Sequence, residues 1–299
     1  MGDKTGISWA DATWNPIRGC SVVSEGCVNC YAMKMAHRFS GPGQPYENLT
    51  KMTKAGPQWN GNIRLVPEML DKPLRWQRPR RVFVNSMSDL FHESVPFAFV
   101  QKVFLVMQEA YRHTFQILTK RPARLLEFWK HAGWGDCASP NIWLGVTAEN
   151  QKAADLRIPL LLQCPAALRW VSCEPLIGPV ELGPGLDWVV AGGESQAGAR
   201  PCHPDWLRSL RDQAANYQIP FHFKQWGEWG PGDPLDSKVR KCCVALDGRV
   251  ASGKGNDAVV LGDFPRLADA FDGWSLMGRV GVKRSGHLLD GVEHREFPR

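Results

Sequence analysis

The 299-residue chain carries 36 Lys and Arg against 30 Asp and Glu, a net charge of +6, with 43% hydrophobic and 22% charged residues. These values exclude a collagen-like or wholly disordered chain, and the charge is too mild for a protein that coats nucleic acid, although it leaves phosphate contacts open. No apolar run reaches the roughly 20 residues of a membrane-spanning helix, and the polar opening Met1–Gly6 lacks a secretory core, so a cytoplasmic chain with reduced thiols and no membrane partner is expected. Clustered cysteines in that setting read as metal-binding or catalytic.

In chain order, a first strand is expected near 7–13, feeding a loop that holds Cys20, Cys27 and Cys30. Residues 40–80 read as an insertion, opened by Gly41-Pro42-Gly43-Gln44-Pro45 and continued by a basic stretch containing Trp59 and Trp76. The β-branched and aromatic run 81–85 predicts a strand. Phe97, Val100, Val103, Phe104 and Met107 recur at helical spacing within 96–113. A strand over 115–119 and a helix opened by Pro122 follow. Next come a strand over 141–147 and a helix over 150–163, which Pro159 is expected to kink or break. Strands over 168–173 and 186–191 are joined by a Gly- and Pro-rich link with no helix. A helix over 203–217 and a strand over 220–226 complete the alternation.

Strands about thirty residues apart, separated by helices, give a parallel sheet covered on both faces. The expected class is therefore α/β: a full or partial (β/α) barrel over 1–230, with the insertion at about 40–80. A C-terminal extension follows over 231–299, with short strands at 241–246 and 257–261. Gly248 to Gly255 comes close to a phosphate-binding loop but lacks the Ser or Thr after Lys254, so it reads as a hairpin turn.

Each strand ends in polar residues: Asn85, Ser86, Ser88 and Asp89; Thr119, Lys120 and Arg121; Thr147, Glu149 and Asn150; Ser172 and Glu174; Glu194 and Ser195; Lys224 and Gln225. Parallel strands bring such ends to one rim, where barrel enzymes build their sites. Cys20, Cys27 and Cys30 form a C-x6-C-x2-C loop, and three thiolates on one loop can hold a metal cluster with one corner open. The scattered Cys137, Cys164, Cys173 and Cys202 read as plain thiols, and Cys242 and Cys243 point to opposite faces of a strand.

The run Asn15-Pro16 … Gly19-Cys20 … Gly26-Cys27-Val28-Asn29-Cys30-Tyr31-Ala32 resembles the cluster loop of radical S-adenosylmethionine (radical SAM) enzymes, with the spore photoproduct lyase branch closest in flavour. The usual spacing there is C-x3-C-x2-C. The three extra residues here are similar to a phage-associated three-Cys-motif family of unknown function. Leu118-Thr119-Lys120-Arg121, Cys173-Glu174-Pro175-Leu176 and Gly192-Gly193-Glu194-Ser195 resemble that family as well. The resemblance implies a barrel of the radical SAM type, with a [4Fe-4S] cluster on Cys20, Cys27 and Cys30 and S-adenosylmethionine on the fourth iron. It implies Ser86, Ser88 or Asp89 at the methionine ammonium and Lys120 or Arg121 at its carboxylate. Glu149 or Asn150 would bond the ribose, Tyr31 would lie near adenine, and Glu194 would make a further contact. Lys120 and Glu174 are the candidate catalytic residues. An electron donor of flavodoxin or ferredoxin type, a nucleic acid or nucleotide substrate, and a partner enzyme encoded nearby are the candidate partners.

Plainer readings stand beside these. Lys120 is also a candidate solvated strand-end lysine, and Glu174 a candidate ion-pair partner of Arg169 or Arg157. Basic residues between Lys51 and Arg81, with Trp59 and Trp76 among them, form either a nucleic-acid-facing lid or an ordinary surface. The alternatives to the enzyme are a zinc-stabilised nucleic-acid-binding module, with His37 as a fourth ligand, and a phage interaction protein on an inactive barrel. The polar strand ends favour the enzyme, because a zinc module has no use for them.

Overall fold

The structure is a computed structural model and describes residues 5–135, 138–231, 238–251 and 273–298. In chain order the elements are β1 (Ala12–Trp14), β2 (Ile17–Arg18), a 3-10 turn (Glu25–Cys27), α1 (Tyr31–Arg38), β3 (Thr50–Thr53), β4 (Gly56–Trp59) and β5 (Arg64–Leu65). Two further 3-10 turns (Pro67–Met69, Lys72–Arg75) lead to β6 (Arg81–Val84), α2 (Phe97–Glu109), β7 (Thr114–Thr119), α3 (Pro122–Ala132), β8 (Ile142–Thr147), α4 (Gln151–Leu162) and β9 (Leu168–Cys173). Then come β10 (Trp188–Ala191), α5 (Pro204–Asn216), β11 (Phe221–Phe223), β12 (Trp229–Pro231), β13 (Lys241–Ala245), β14 (Val250–Ala251), β15 (Trp274–Arg279), α6 (Val282–Ser285), β16 (Leu288–Leu289) and β17 (Val292–Glu293).

The architecture is α/β. A seven-strand parallel sheet of half-barrel type, in the order β1-β6-β7-β8-β9-β10-β11, alternates with helices. A C-terminal antiparallel sheet has the order β12-β15-β13-β14. The chain divides into two compact units, Met1–Thr147 with Asp155–Val171, and Ala148–Ala154 with Ser172–Arg299.

In the first unit the expected strands and helices form with small shifts of their ends. The inner positions of α2 (Phe99, Val100, Val103, Phe104 and Met107) are buried, and Phe104 and Phe128 of α3 meet at 5.2 Å between ring centres. Pro122 opens α3 and Gly133, with a left-handed φ of 66°, closes it. Pro159 lies inside α4, which runs on to Leu162, so the expected break does not occur. The insertion holds the β3–β4 hairpin and β5, which pairs antiparallel with β2.

The first strand lies later than expected. Residues 7–10 instead form a turn, with Ala10 N–H donating to Ile7 O (3.1 Å). The cause is Trp9, which is buried against Phe83 (4.6 Å between ring centres) and Trp170 (5.2 Å) while Gln116 Nε2 donates to its carbonyl (3.1 Å).

In the second unit the link between β9 and β10 contains no helix, as its Gly and Pro content predicts. The last strand of the parallel sheet stops at Phe223, although Lys224 N–H still reaches Ala191 O (2.8 Å). Gly248 turns the β13–β14 hairpin, as expected; 252–255 and the predicted strand 257–261 lie outside the described residues, as does Cys137. Cys242 is buried and Cys243 half-buried, in keeping with opposite faces of β13. Among the described residues no helix is long and apolar enough to cross a membrane.

Gly145 of β8 is packed directly against the core of the first unit. A Cβ there would sit 2.4 Å from Cε2 of the fully buried Trp170. Gly145→Ala should therefore lower stability by about 1–3 kcal/mol through overpacking. Urea unfolding measures this, and an unchanged midpoint would count against the packing described.

Candidate functional site

In the first unit the loop after β1 is stitched to the loop after β6. Buried Asn15 accepts through Oδ1 from Met87 N–H (3.1 Å) and Ser86 Oγ (3.2 Å). Ser88 Oγ donates to Ile17 O (2.9 Å), and Gly19 bridges Ser88 in parallel register. Gly19 has a φ of +91°, and a Cβ would meet Asn62 O at 2.2 Å, so only glycine fits this crossing.

This stitched loop carries Cys20, Cys27 and Cys30, all half-buried free thiols. The 3-10 turn brings Cys27 round so that its carbonyl accepts from Cys30 N–H (3.1 Å), and Cys30 opens α1. Cys20 and Cys30 rest against a buried cluster that includes Met33, Leu49, Trp59 and Met87. Burial, first, and then Asp89 push the Cys20 thiol up to about 12; Cys27 and Cys30 add to the rise and Arg121 opposes it. Burial also raises Cys30, against the pull of nearby Lys120. These sulfurs therefore sit as neutral thiols until a metal displaces their protons.

Among the described residues no three His, Cys, Asp or Glu side chains converge on one ion position. A lone zinc ion, at about 2.3 Å from each sulfur, requires that convergence. A four-iron cluster holds each thiolate on a different iron, so its sulfurs stand farther apart, and three thiols from one loop match its donor chemistry. His37 Nδ1 is hydrogen-bonded to Thr50 Oγ1 (3.0 Å).

Behind the thiols lies a buried charge network. Asp89 accepts from Phe91 N–H (3.0 Å), Thr119 Oγ1 (2.8 Å), Lys120 N–H (3.1 Å) and Arg121 Nη1 (3.0 Å). Arg121 also donates from Nε to Glu93, from Nη2 to Ser21 Oγ (2.7 Å), and from Nη1 toward the Cys20 sulfur (3.9 Å). Its carboxylate partners raise its pKa further, so it stays a guanidinium although burial opposes the charge. His92 Nδ1 accepts from Ser94 N–H (3.1 Å), which leaves Nε2–H to donate to Ser21 Oγ (2.9 Å). Burial, then Arg121, lower the His92 pKa and keep this neutral form.

Tyr31, at the start of α1, donates to Ser86 O (2.6 Å). Lys120 Nζ donates to Thr147 Oγ1 (3.3 Å). The first unit thus gathers the three cysteines, Tyr31, Ser86, Ser88, Asp89, Lys120 and Arg121 around one pair of loops and the end of β7. Ser21, His92 and Glu93 belong to the same network and are not singled out by sequence. The signal for them is the acidic run after β6, with Asp89 and Glu93 facing Arg121.

In the second unit, Glu174 pairs with Lys224 (2.6 Å), not with the Arg169 or Arg157 weighed from sequence. Arg169 and Arg157, both of the first unit, donate to the carbonyls of Cys164 and Thr147. Asn150 Oδ1 accepts from Ala153 N–H (3.0 Å) and so caps the start of α4. Glu149 is buried, and after burial itself it is the cause that raises the Cys173 thiol. Buried Glu194 is clasped by Arg200 through N–H (2.8 Å), Nε (3.1 Å) and Nη2 (2.6 Å), a partner with no sequence signal. Cys164, Cys173 and Cys202 are buried, as plain core thiols would be. Trp59 and Trp76 are buried, and Trp76 is covered by the Arg80 guanidinium at 4.9 Å, so neither offers a free face for stacking a base.

The fold and this polar loop cluster define an α/β protein with a parallel sheet and a three-cysteine loop beside the ends of β6 and β7. The chain belongs to the family described as protein of unknown function (DUF5131), which matches residues 4–298. No curated protein matches it, and no solved structure does.

Two outcomes follow from the network. Arg121→Gln leaves Asp89 buried without its cation and should cost about 3–5 kcal/mol, whereas Arg121→Gln with Asp89→Asn should recover much of that loss. Additive losses in urea unfolding would show that the pair is not coupled. The neutral His92 contributes stability above its unfolded value of 6.5, and that contribution is lost as pH falls through its lower folded value. Wild-type unfolding midpoints should therefore drop between pH 7.5 and 5 more than those of His92→Gln.

Proposed function

We propose that this chain is an iron–sulfur enzyme of radical SAM type, related to phage-associated three-cysteine proteins. The observation that carries the reading is the cysteine loop itself. Three thiols share one stitched loop, Cys20 and Cys30 rest on an apolar bed, and a buried guanidinium donates toward Cys20.

A [4Fe-4S] cluster held there with S-adenosylmethionine on its open iron would supply one-electron cleavage to methionine and a 5′-deoxyadenosyl radical, which takes hydrogen from a substrate. The chain's own groups have roles to match. Arg121 and Lys120 place positive charge beside the thiolates, favouring their deprotonated form. Met33, Leu49, Trp59 and Met87 form the apolar bed beneath Cys20 and Cys30, which excludes water and tunes such a centre. Tyr31 is tied by its hydroxyl to Ser86 O, which leaves its ring, next to Cys30, as the aromatic surface for adenine. Asp89 already accepts four hydrogen bonds, so its role in this reading is to hold Arg121 and the Lys120 backbone in place. Glu149, Asn150, Glu174 and Glu194 of the second unit enter as ligand-binding or catalytic groups only through the family resemblance. The reading also calls for a one-electron donor protein, with a nucleic acid or nucleotide as the candidate substrate.

Anaerobic reconstitution should give a brown protein with about four irons per chain, and the protein should release 5′-deoxyadenosine from S-adenosylmethionine once reduced. Cys20→Ser, Cys27→Ser and Cys30→Ser should each lose iron and product together. Stoichiometric zinc with no iron, or a reduced cluster that yields no 5′-deoxyadenosine, would overturn the reading.

A further inference from the structure

Of the fifteen large apolar side chains exposed among the described residues, seven fall between residues 22 and 52, so exposed apolar surface is concentrated at the cysteine loop and its neighbours. Val22, Val23 and Val28 lie on the loop, and Val28, between Cys27 and Cys30, is 59% exposed. The loop runs directly into α1, whose inner residues Ala32, Met33 and Ala36 are buried. On its outer side Tyr31 and Met35, four apart, share one face of the helix, and Phe39 is exposed just past its end. Beside α1, β3 adds Met52, 64% exposed.

The same segment is strongly basic. Between residues 18 and 64 there are six Lys and Arg against two Glu, so this sixth of the chain carries four of its six net positive charges. Arg38, Lys51 and Lys54 are exposed beside the apolar stripe. An exposed apolar centre with a charged rim is the anatomy of a protein interface.

The chemistry selects the occupant. A second copy of the chain would bring one basic rim against another, an unfavourable match. Five of the seven exposed side chains are aliphatic or thioether, Tyr31 and Phe39 are the two exposed aromatics, and Trp59 and Trp76 are buried, so the face lacks a row of platforms for successive bases. An acidic protein with its own apolar centre satisfies both the charge and the stripe. We propose that this face docks an acidic one-electron donor protein of flavodoxin or ferredoxin type over the loop that bears Cys20, Cys27 and Cys30. This rests on the iron–sulfur reading above. In the step it would serve, the donor's reduced centre would lose one electron to a cluster held by Cys20, Cys27 and Cys30, with no bond formed or broken. Electron-transfer encounters of this kind are small, and charge sets their on-rates.

The test uses the full reconstituted chain and two reductants, reduced flavodoxin and dithionite. Met35→Glu combined with Met52→Glu should slow cluster reduction by flavodoxin at least tenfold and leave reduction by dithionite unchanged. Lys51→Glu with Lys54→Glu should slow the flavodoxin reaction several-fold and flatten its salt dependence. The dithionite arm and the iron content report whether a variant has merely misfolded, and the two pairs of substitutions are independent of one another. Wild-type rates with flavodoxin in both variants would overturn the docking surface while leaving the cluster reading intact. So would loss of binding to phosphatidylserine vesicles or to a single-stranded oligonucleotide with flavodoxin transfer unaffected. A wild-type chain that assembles no cluster would overturn both.

Discussion

The ion pair between Asp89 and Arg121 is the constraint on which the first unit's site depends. Both side chains are almost wholly buried, and burying two charges costs several kcal/mol per ion unless every lone pair and proton is matched. Here they are matched. Asp89 follows β6 and takes donors from its own turn, from Thr119 and Lys120 at the end of β7, and from Arg121. Arg121 in turn reaches Ser21 and Cys20 on the loop after β1. One guanidinium thus fixes the ends of two strands and the start of the cysteine loop relative to one another. Glu93, largely exposed, adds a hydrogen-bonded partner but little energy.

The strands and helices of the parallel sheet were legible because their signals are local. Runs such as 168–173 are apolar on both faces, and Pro122 with Gly133 brackets α3. The elements that moved were governed by distant contacts. Trp9 leaves the strand pattern to pack on Phe83 and Trp170, and a residue 161 positions away is invisible to a window of a dozen. α4 continues past Pro159 to Leu162, with the proline in its C-terminal part.

The candidate site divides in the same way. Cys20, Cys27 and Cys30 announce themselves by spacing, and the polar strand ends by their place in the alternation. Their partners do not. Lys224 lies fifty positions from Glu174, and Arg200 reaches Glu194 from an irregular loop. Sequence yields the charged residue but not its counter-ion, so it cannot tell a carboxylate reserved for a ligand from one already satisfied. Asp89, a candidate ligand carboxylate in sequence, accepts four hydrogen bonds from within the fold. Ser86 and Ser88 likewise use their hydroxyls to bind the cysteine loop.

Within the proposed reading, the case for an iron cluster over one zinc ion turns on ligand count and on how the sulfurs are held. A structural zinc site needs four donors converging on a point. Among the described residues no such convergence is found. A cluster with an open corner needs only three donors, each addressing a separate metal. It also gives a purpose to a guanidinium beside one sulfur, because cations and N–H groups near thiolates are what set the potential of an iron–sulfur centre. A zinc ion, which changes no oxidation state, would gain nothing from that tuning.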